Sequence, residues 1–273
     1  MIVVTAASGA LGRLVVAELC KRVPADRVVA AVRDPARATD LARWGVEVRH
    51  GDYDDPASLR SALRGAERLL LISSPELAPD RRIRQHLATI EAATGSGVRA
   101  IAYTSFLGAD RSGEGLNAAH HVTERAIVDS GLPYTMLRHP FYSEAFLNAG
   151  LRAAVDTGEL TSGTGGRGLN TAFRSDLAEV AANVLSDDAH LGRGYDLTGP
   201  SWTYPQLAEV LSEVSGKLVT YREATGEAPG AMGFLMGLAR SGALVRQTGD
   251  LHRLLGRPPT TLRQAVVGLL GGE

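Results

Sequence analysis

Six short apolar runs, alternating with segments of helical character, occupy the first 140 residues, and this alternation constrains the fold more than any other feature. The runs are 2–5 (IVVT), 28–33 (VVAAVR), 46–52 (VEVRHGD), 68–74 (RLLLISS), 99–105 (RAIAYTS) and 134–138 (YTMLR). Between them lie 10–22, with Leu11, Val15 and Leu19 on one face, 35–45, closed by Gly45, and 55–65, with Asp55 as N-cap and Pro56 at the first helical position. Segments 80–95 and 117–130 complete the series. A continuous apolar run such as IVVT suits a strand buried on both faces, and helices on both sides of a parallel sheet provide that burial. The order therefore predicts an α/β fold, a doubly wound parallel sheet of Rossmann type with right-handed crossovers. Ligands are expected beyond the carboxyl ends of the strands, where strand order reverses.

Beyond residue 140 the regularity fades. Residues 141–158 read as a helix, 161–168 (TSGTGGRG) as a loop, 174–185 as a helix, 194–199 as a short strand and 204–216 as a helix ending at Gly216. Met232, Phe234, Leu235 and Met236 belong to a small apolar lobe that suits a flat apolar ligand or a plain core.

The first turn, VVTAASGALG over 3–12, joins a strand to a helix in the frame Ala6, Gly9, Gly12. In a dinucleotide-binding turn the first small residue permits the tight turn, the second lets backbone approach the pyrophosphate and the third lets the helix pack on the sheet. Ala6 stands where glycine is usual, and its methyl is acceptable if its φ is negative. Residues Ala6, Ala7, Ser8, Gly9, Ala10, Leu11 and Gly12 are the candidate phosphate cradle, with the helix N-terminus supplying N–H donors. The second strand ends in Arg33, with Arg37 one turn on, rather than in the acidic residue that would bind a ribose 2′-hydroxyl. A guanidinium suits a 2′-phosphate, so NADPH is the expected cofactor and NADH the alternative. Asp34 beside Arg33 argues in the other direction. Asp52 is the candidate partner of the adenine amino group.

In order, AASGALG, VRDPAR, GDYDDPASL, LLLISSP, YTS, SGLPYTMLR, FYSE, RSDLA and GRPPTTL resemble the NmrA-like, atypical short-chain dehydrogenase/reductase family, and within it the bacterial NADPH:quinone oxidoreductase and triphenylmethane reductase branch. The resemblance spans nearly the whole chain. It implies hydride transfer from NADPH to a quinone or related conjugated aromatic acceptor, without flavin. It also implies cofactor contacts at Ser73, Ser74 and Pro75, at His139, Pro140, Phe141 and Tyr142, and at Arg174. The chain departs from the family at His139, where relatives usually carry Asn or Pro, and at Ala145, where they often carry Asn.

The chain has only two lysines, Lys21 and Lys217, and no tyrosine lies four residues before either, so the Tyr-x-x-x-Lys apparatus of many related dehydrogenases is absent. Tyr103 and His120 are the catalytic candidates in its place. No HExxH pair, cysteine cluster or GxSxG elbow occurs, and no metal is expected. Residues 163–168 (GTGGRG) lack the Lys-Ser/Thr ending of a P-loop and read as a loop near the active cleft.

The expected division is a dinucleotide-binding core over 1–140, with 171–187 packing back on it, and a mostly substrate-binding lobe over 141–273. Two other functions remain open: a non-catalytic NADP(H)-sensing regulatory protein, and a reductive or oxygenating tailoring enzyme acting on an aromatic natural product. The formal net charge of −1 gives no global field for nucleic acid or an anionic membrane. Cys20 is the only cysteine, which precludes a disulfide framework and fits a reducing cytoplasm; it is expected in the core. No basic leader precedes the apolar opening, and the apolar stretch 228–239 is shorter than the ~20 residues a membrane span needs. The expected partner is a small apolar aromatic substrate, with no nucleic acid or membrane, for a cytoplasmic monomer or homodimer.

Overall fold

The computed structural model describes residues 1–226 and 230–271. Ala228 and Pro229, which begin the apolar stretch at 228–239, and the last two residues of the expected lobe lie outside the described residues. The chain divides into two compact units, Met1–His139 with Arg174–Leu197, and Pro140–Phe173 with the remainder from Thr198.

The first unit is built on strands β1 (Ile2–Val4), β2 (Val28–Val32), β3 (Glu47–His50), β4 (Arg68–Leu71), β5 (Ala100–Phe106) and β6 (Tyr134–His139). Its helices are α1 (Ala10–Cys20), α2 (Thr39–Arg43), α3 (Pro56–Ala62), α4 (Pro79–Gly95) and α5 (Ala118–Asp129). In the second unit, α6 spans Leu151–Thr157 and β7 Glu159–Ser162; the chain then returns to the first with α7 (Arg174–Leu185) and β8 (Arg193–Asp196). It ends with α8 (Tyr204–Ser215), β9 (Thr220–Glu223), α9 (Gly230–Ser241), α10 (Asp250–Leu255) and α11 (Leu262–Gly271).

Seven strands form one sheet in the order β3-β2-β1-β4-β5-β6-β8, and every pairing is parallel. The order reverses between β1 and β4, so the turn after β1 opens at the switch point, as the alternation predicts. β2 is buried along its whole length, whereas edge strand β3 carries the exposed Glu47 paired with Arg49, a charge pattern that discourages pairing with a further strand. Under the sheet, Val3, Leu69, Leu71, Ile101, Tyr103 and Met136 form one core with Leu59 and Leu63. The N-cap of α3 is as read: Asp55 accepts from the Ala57 and Ser58 N–H groups at 3.0 and 3.2 Å, with Pro56 at the first position.

The second unit has its own core, in which Trp202 packs edge-on against Phe146 and tilted against Tyr204, backed by Leu207, Leu211 and Val266. Here the structure corrects the sequence reading. The helix expected over 141–158 is broken into a 3₁₀ turn, Ser143–Ala145, and α6, because the Asn148 side chain accepts from Gly150 N–H at 3.0 Å and donates to the Ala145 carbonyl. Thr161 and Ser162, expected in a loop, lie in β7, which pairs in parallel with β9. Met236 is core, but Met232 and Phe234 are exposed, so the apolar stripe at 232–236 is not one buried surface. In the first unit, Cys20 is half-buried rather than core, since Leu19 takes the inward position at the end of α1.

Candidate dinucleotide-binding and reduction site

The turn after β1 is held by its own backbone. Ala7 N–H donates to the Ala31 carbonyl and Gly9 N–H to the Ala6 carbonyl. Ala6 has φ +48°, the only non-glycine residue with positive φ among the described residues. The condition of a negative φ at Ala6 is thus not met: the alanine adopts the left-handed conformation that glycine takes without penalty. A Cβ on Gly12 would stand 2.7 Å from Ala7 Cα, so only glycine lets α1 sit this close to the turn. Helix α1 begins without a side-chain cap and without an acidic residue in its first turn. Its leading N–H groups have no acceptor within the helix, and Ser8, Gly9 and Ala10 are exposed beside Leu11. An anionic pyrophosphate fits this cradle chemically.

At the ends of β2 and β3, Asp34 and Arg33 are placed differently. The Asp34 carboxylate accepts from Ala36 N–H at 3.1 Å and caps the short turn Pro35–Arg37. Arg33 and Arg37 are exposed and form no ion pair among the described residues. Asp52 accepts from Asp54 N–H at 3.0 Å, and its own N–H donates to Ser58 Oγ at 2.9 Å.

The carboxyl ends of β4, β5 and β6 carry the other candidates. Ser73 N–H donates to Thr104 Oγ1 at 2.9 Å. Ser74 is committed to the protein: its N–H donates to His86 Nε2 at 2.9 Å, its hydroxyl to Gln85, and its carbonyl accepts from Arg82 Nε at 2.8 Å. Pro75 is exposed. His139 ends β6 and is buried, which pushes its pKa down to about 3. Pro140, Phe141 and Tyr142 open the second unit, where Tyr142 bridges to Ala172; Arg174 is the first residue of α7, in the other unit.

Behind Ser74 lies a hydrogen-bonded chain. His86 Nε2 accepts from the Ser74 N–H, so its proton resides on Nδ1, which donates to Thr123 Oγ1 at 2.8 Å. Thr123 in turn donates to the Ala119 carbonyl. Tyr103 is fully buried, and its hydroxyl lies 2.8 Å from His120 Nδ1. Burial, aided by the charge of Arg82, pushes His86 and His120 down to about 3. Burial also raises the Tyr103 phenol above its ordinary range. The whole chain is neutral at physiological pH. Sequence reasoning found Tyr103 and His120 but missed His86, Thr123 and Arg82.

Two turns of α5 extend this packing. Glu124, one turn after His120, accepts from Ser105 Oγ at 2.6 Å and forms a two-point pair with Arg138 at 2.9 and 2.8 Å. These bonds fix α5 against β5 and β6, and with it the position of His120. Lys21 pairs with Glu18 at the end of α1, and Lys217 pairs with Asp156 in the second unit.

The second unit contains a cavity of about 300 Å³ with walls that include Leu147, Phe173, Trp202 and Leu262. Its polar floor is Thr171, bonded to Ser143 Oγ at 2.8 Å and accepting from Trp202 Nε1 at 2.9 Å.

Residues 6–188 match the NAD(P)H-binding family. The chain belongs to that family. This NAD(P)H-binding protein is 43% identical over 281 residues to quinone oxidoreductase 2 of Escherichia coli K12, covering 97% of each chain. It is 30% identical to an NmrA-like family domain-containing oxidoreductase of Aspergillus flavus, over 98% of this chain and 94% of that one. Its fold superposes on the triphenylmethane reductase of a Citrobacter species, crystallised with NADP(H), with TM-score 0.93, 37% identity and coverage of 98% and 100%. The crystal structure of an NADPH-dependent quinone oxidoreductase of Escherichia coli with NADPH gives TM-score 0.86 at 41% identity, with coverage of 99% and 100%. The NAD(P)H-binding protein is thus an oxidoreductase by family, with the Rossmann-type sheet that the alternation predicts. Among its described residues, no helix is long and apolar enough to cross a membrane.

Proposed function

We propose that the protein reduces quinones or related conjugated aromatic acceptors, with NADPH as the hydride donor and without flavin or metal. The observation that carries this is the end-to-end likeness to a quinone oxidoreductase at 43% identity. Bound NADPH would supply the hydride; the protein supplies position and electrostatics. Gly9, Gly12 and the leading N–H groups of α1 hold the pyrophosphate, Arg33 and Arg37 the 2′-phosphate, and Asp52 the adenine edge. Ser73 and Pro75 present backbone to the nicotinamide, with His139, Pro140, Phe141, Tyr142 and Arg174 as further contacts. The dinucleotide unit is the core 1–140 with 171–187, and the lobe 141–273 binds the acceptor.

The local chemistry supports an electrophilic acceptor. The Tyr103 phenol is hydrogen-bonded to His120 with its pKa raised by burial, and His120 is neutral, so neither is poised to protonate a ketone oxygen near pH 7. A quinone needs orientation more than a general acid. Tyr103 then acts as a positioning residue for His120.

The test is steady-state oxidation of NADPH by the purified, flavin-free protein with a quinone panel and simple ketones. Turnover of quinones over ketones supports the reading. Turnover of ketones alone contradicts it, and tight NADPH binding with no turnover favours the sensing function.

A further inference from the structure

Arg82 is the cation that the cofactor contacts leave unused. It lies in the first turn of α4, half-buried, with Nε donating at 2.8 Å to the Ser74 carbonyl just past the end of β4. Its neighbour Arg81 is paired with Asp54 and Glu76, but no carboxylate pairs with Arg82 among the described residues. The platform that anchors it is rigid. Ser74 is fixed by His86 at its N–H, by Gln85 at its hydroxyl and by Arg82 at its carbonyl. The positive charge of Arg82 reaches both His86 and His120, opposing their protonation, and it favours the ionised form of Tyr103. A half-buried guanidinium with no acid partner, at the ligand-binding end of a parallel sheet, is arranged to receive negative charge from outside the protein.

The topology indicates which charge. The sheet order runs β3-β2-β1-β4-β5-β6-β8. Arg33 and Asp52 end β2 and β3 on one side of the phosphate turn, the side of the adenosine half. Ser74 follows β4 and Tyr103 lies on β5, on the other side, the side of the nicotinamide and its acceptor. Arg82, bonded to the Ser74 carbonyl, is therefore on the nicotinamide side of the phosphate turn.

We propose that Arg82 is a catalytic residue of the reduction, whose guanidinium holds the negative charge that collects on a quinone oxygen. This rests on the quinone-reductase reading above. The quinone takes up a hydride, two electrons and one proton, from the dihydronicotinamide, which is oxidised to the nicotinamide cation. The product is a hydroquinone monoanion, and one proton from water completes the hydroquinone. Charge grows on oxygen during the first step, and a fixed cation lowers that barrier without reorganising. The neutral Tyr103–His120 pair beside it supplies no net charge for this purpose, so the burden falls on Arg82.

The experiment measures kcat for menadione and the Kd for NADPH in wild type, Arg82→Gln and Arg82→Lys, with a triarylmethane cation as second acceptor. Arg82→Gln should lower kcat for menadione by about 10²-fold, the loss typical of one removed oxyanion donor. Its Kd for NADPH should stay within about threefold, Arg82→Lys should recover part of the rate, and added methylguanidinium should partly rescue Arg82→Gln. Hydride transfer to the dye discharges a cation and forms no oxyanion, so that rate should hold or rise. An unchanged menadione rate, an equal loss with both acceptors, or a parallel loss of NADPH affinity overturns the proposal. A wild-type protein that binds NADPH and reduces no quinone overturns the functional reading itself, and this proposal with it.

Discussion

The Tyr103 hydroxyl lies 2.8 Å from Nδ1 of His120, and both side chains are buried. The His86 Nδ1 proton goes to Thr123, so His86 offers the Tyr103 phenol no acceptor. The pair is neutral at physiological pH, with neither pKa near 7. Tyr103→Phe should therefore lower quinone turnover by a modest factor, within about tenfold, by loosening His120 rather than by deleting a proton donor. Steady-state kinetics of the purified variant checks this; complete loss of activity in a folded variant would show that the phenol takes part in the chemistry.

The same burial makes stability depend on pH. His86, His120 and His139 are each held near 3, well below the ordinary value of about 6.5. The unfolded chain binds more protons than the folded one between those values, so the stabilisation present above pH ~6.5 is lost as pH falls toward 3. Urea midpoints should decline steadily from pH 7 to pH 5, and the decline should be shallower in His120→Asn. A midpoint unchanged across that interval contradicts the buried neutral histidines.

Ala6 carries a local strain that glycine would release. A left-handed φ costs a residue with a Cβ roughly 1–2 kcal/mol, offset in part by the greater freedom of glycine in the unfolded chain. Ala6→Gly should raise stability by about 1 kcal/mol and retain NADPH binding, measured by denaturation and calorimetry. Gly12→Val should abolish binding, because its side chain would collide with the backbone of Ala6 and Ala7. Unaltered binding in Gly12→Val contradicts the phosphate cradle.

Arg33 is expected to set cofactor preference. Asp34 caps the Pro35–Arg37 turn, and Arg33 and Arg37 are exposed with no ion pair among the described residues, which suits the proposed 2′-phosphate contact. Arg33→Ala should cost roughly 1.5–3 kcal/mol of NADPH affinity and leave NADH affinity unchanged. Titration with both cofactors measures it; equal affinities in the wild type would remove the basis for the assignment.

What the sequence made legible follows from where apolar side chains concentrate. The strands flanking the switch point are unbroken apolar runs, and Asp55-Pro56 marks its helix start by local chemistry alone. The pair β7 and β9 was hidden because ELTS and TYRE carry mostly polar residues and lean on the second unit's core through Leu160 and Tyr221. His86 and Thr123 were missed for a related reason. Polar residues on the buried face of α4 and α5 look like solvent positions until their partners are known. The positive φ of Ala6 likewise goes with a turn closed by Gly9 N–H on the Ala6 carbonyl and tied to β2 by Ala7 N–H on the Ala31 carbonyl, not with the residue's own preference.

The proposed function requires hydride transfer from NADPH to a quinone by the protein alone. The direct measurement is the loss of reduced-nicotinamide absorbance when flavin-free, metal-free protein is mixed with NADPH and menadione under stopped flow, beside simple ketones. The expected result is rapid multiple turnover with menadione and little with ketones. Tight NADPH binding with no oxidation by any quinone would contradict the account.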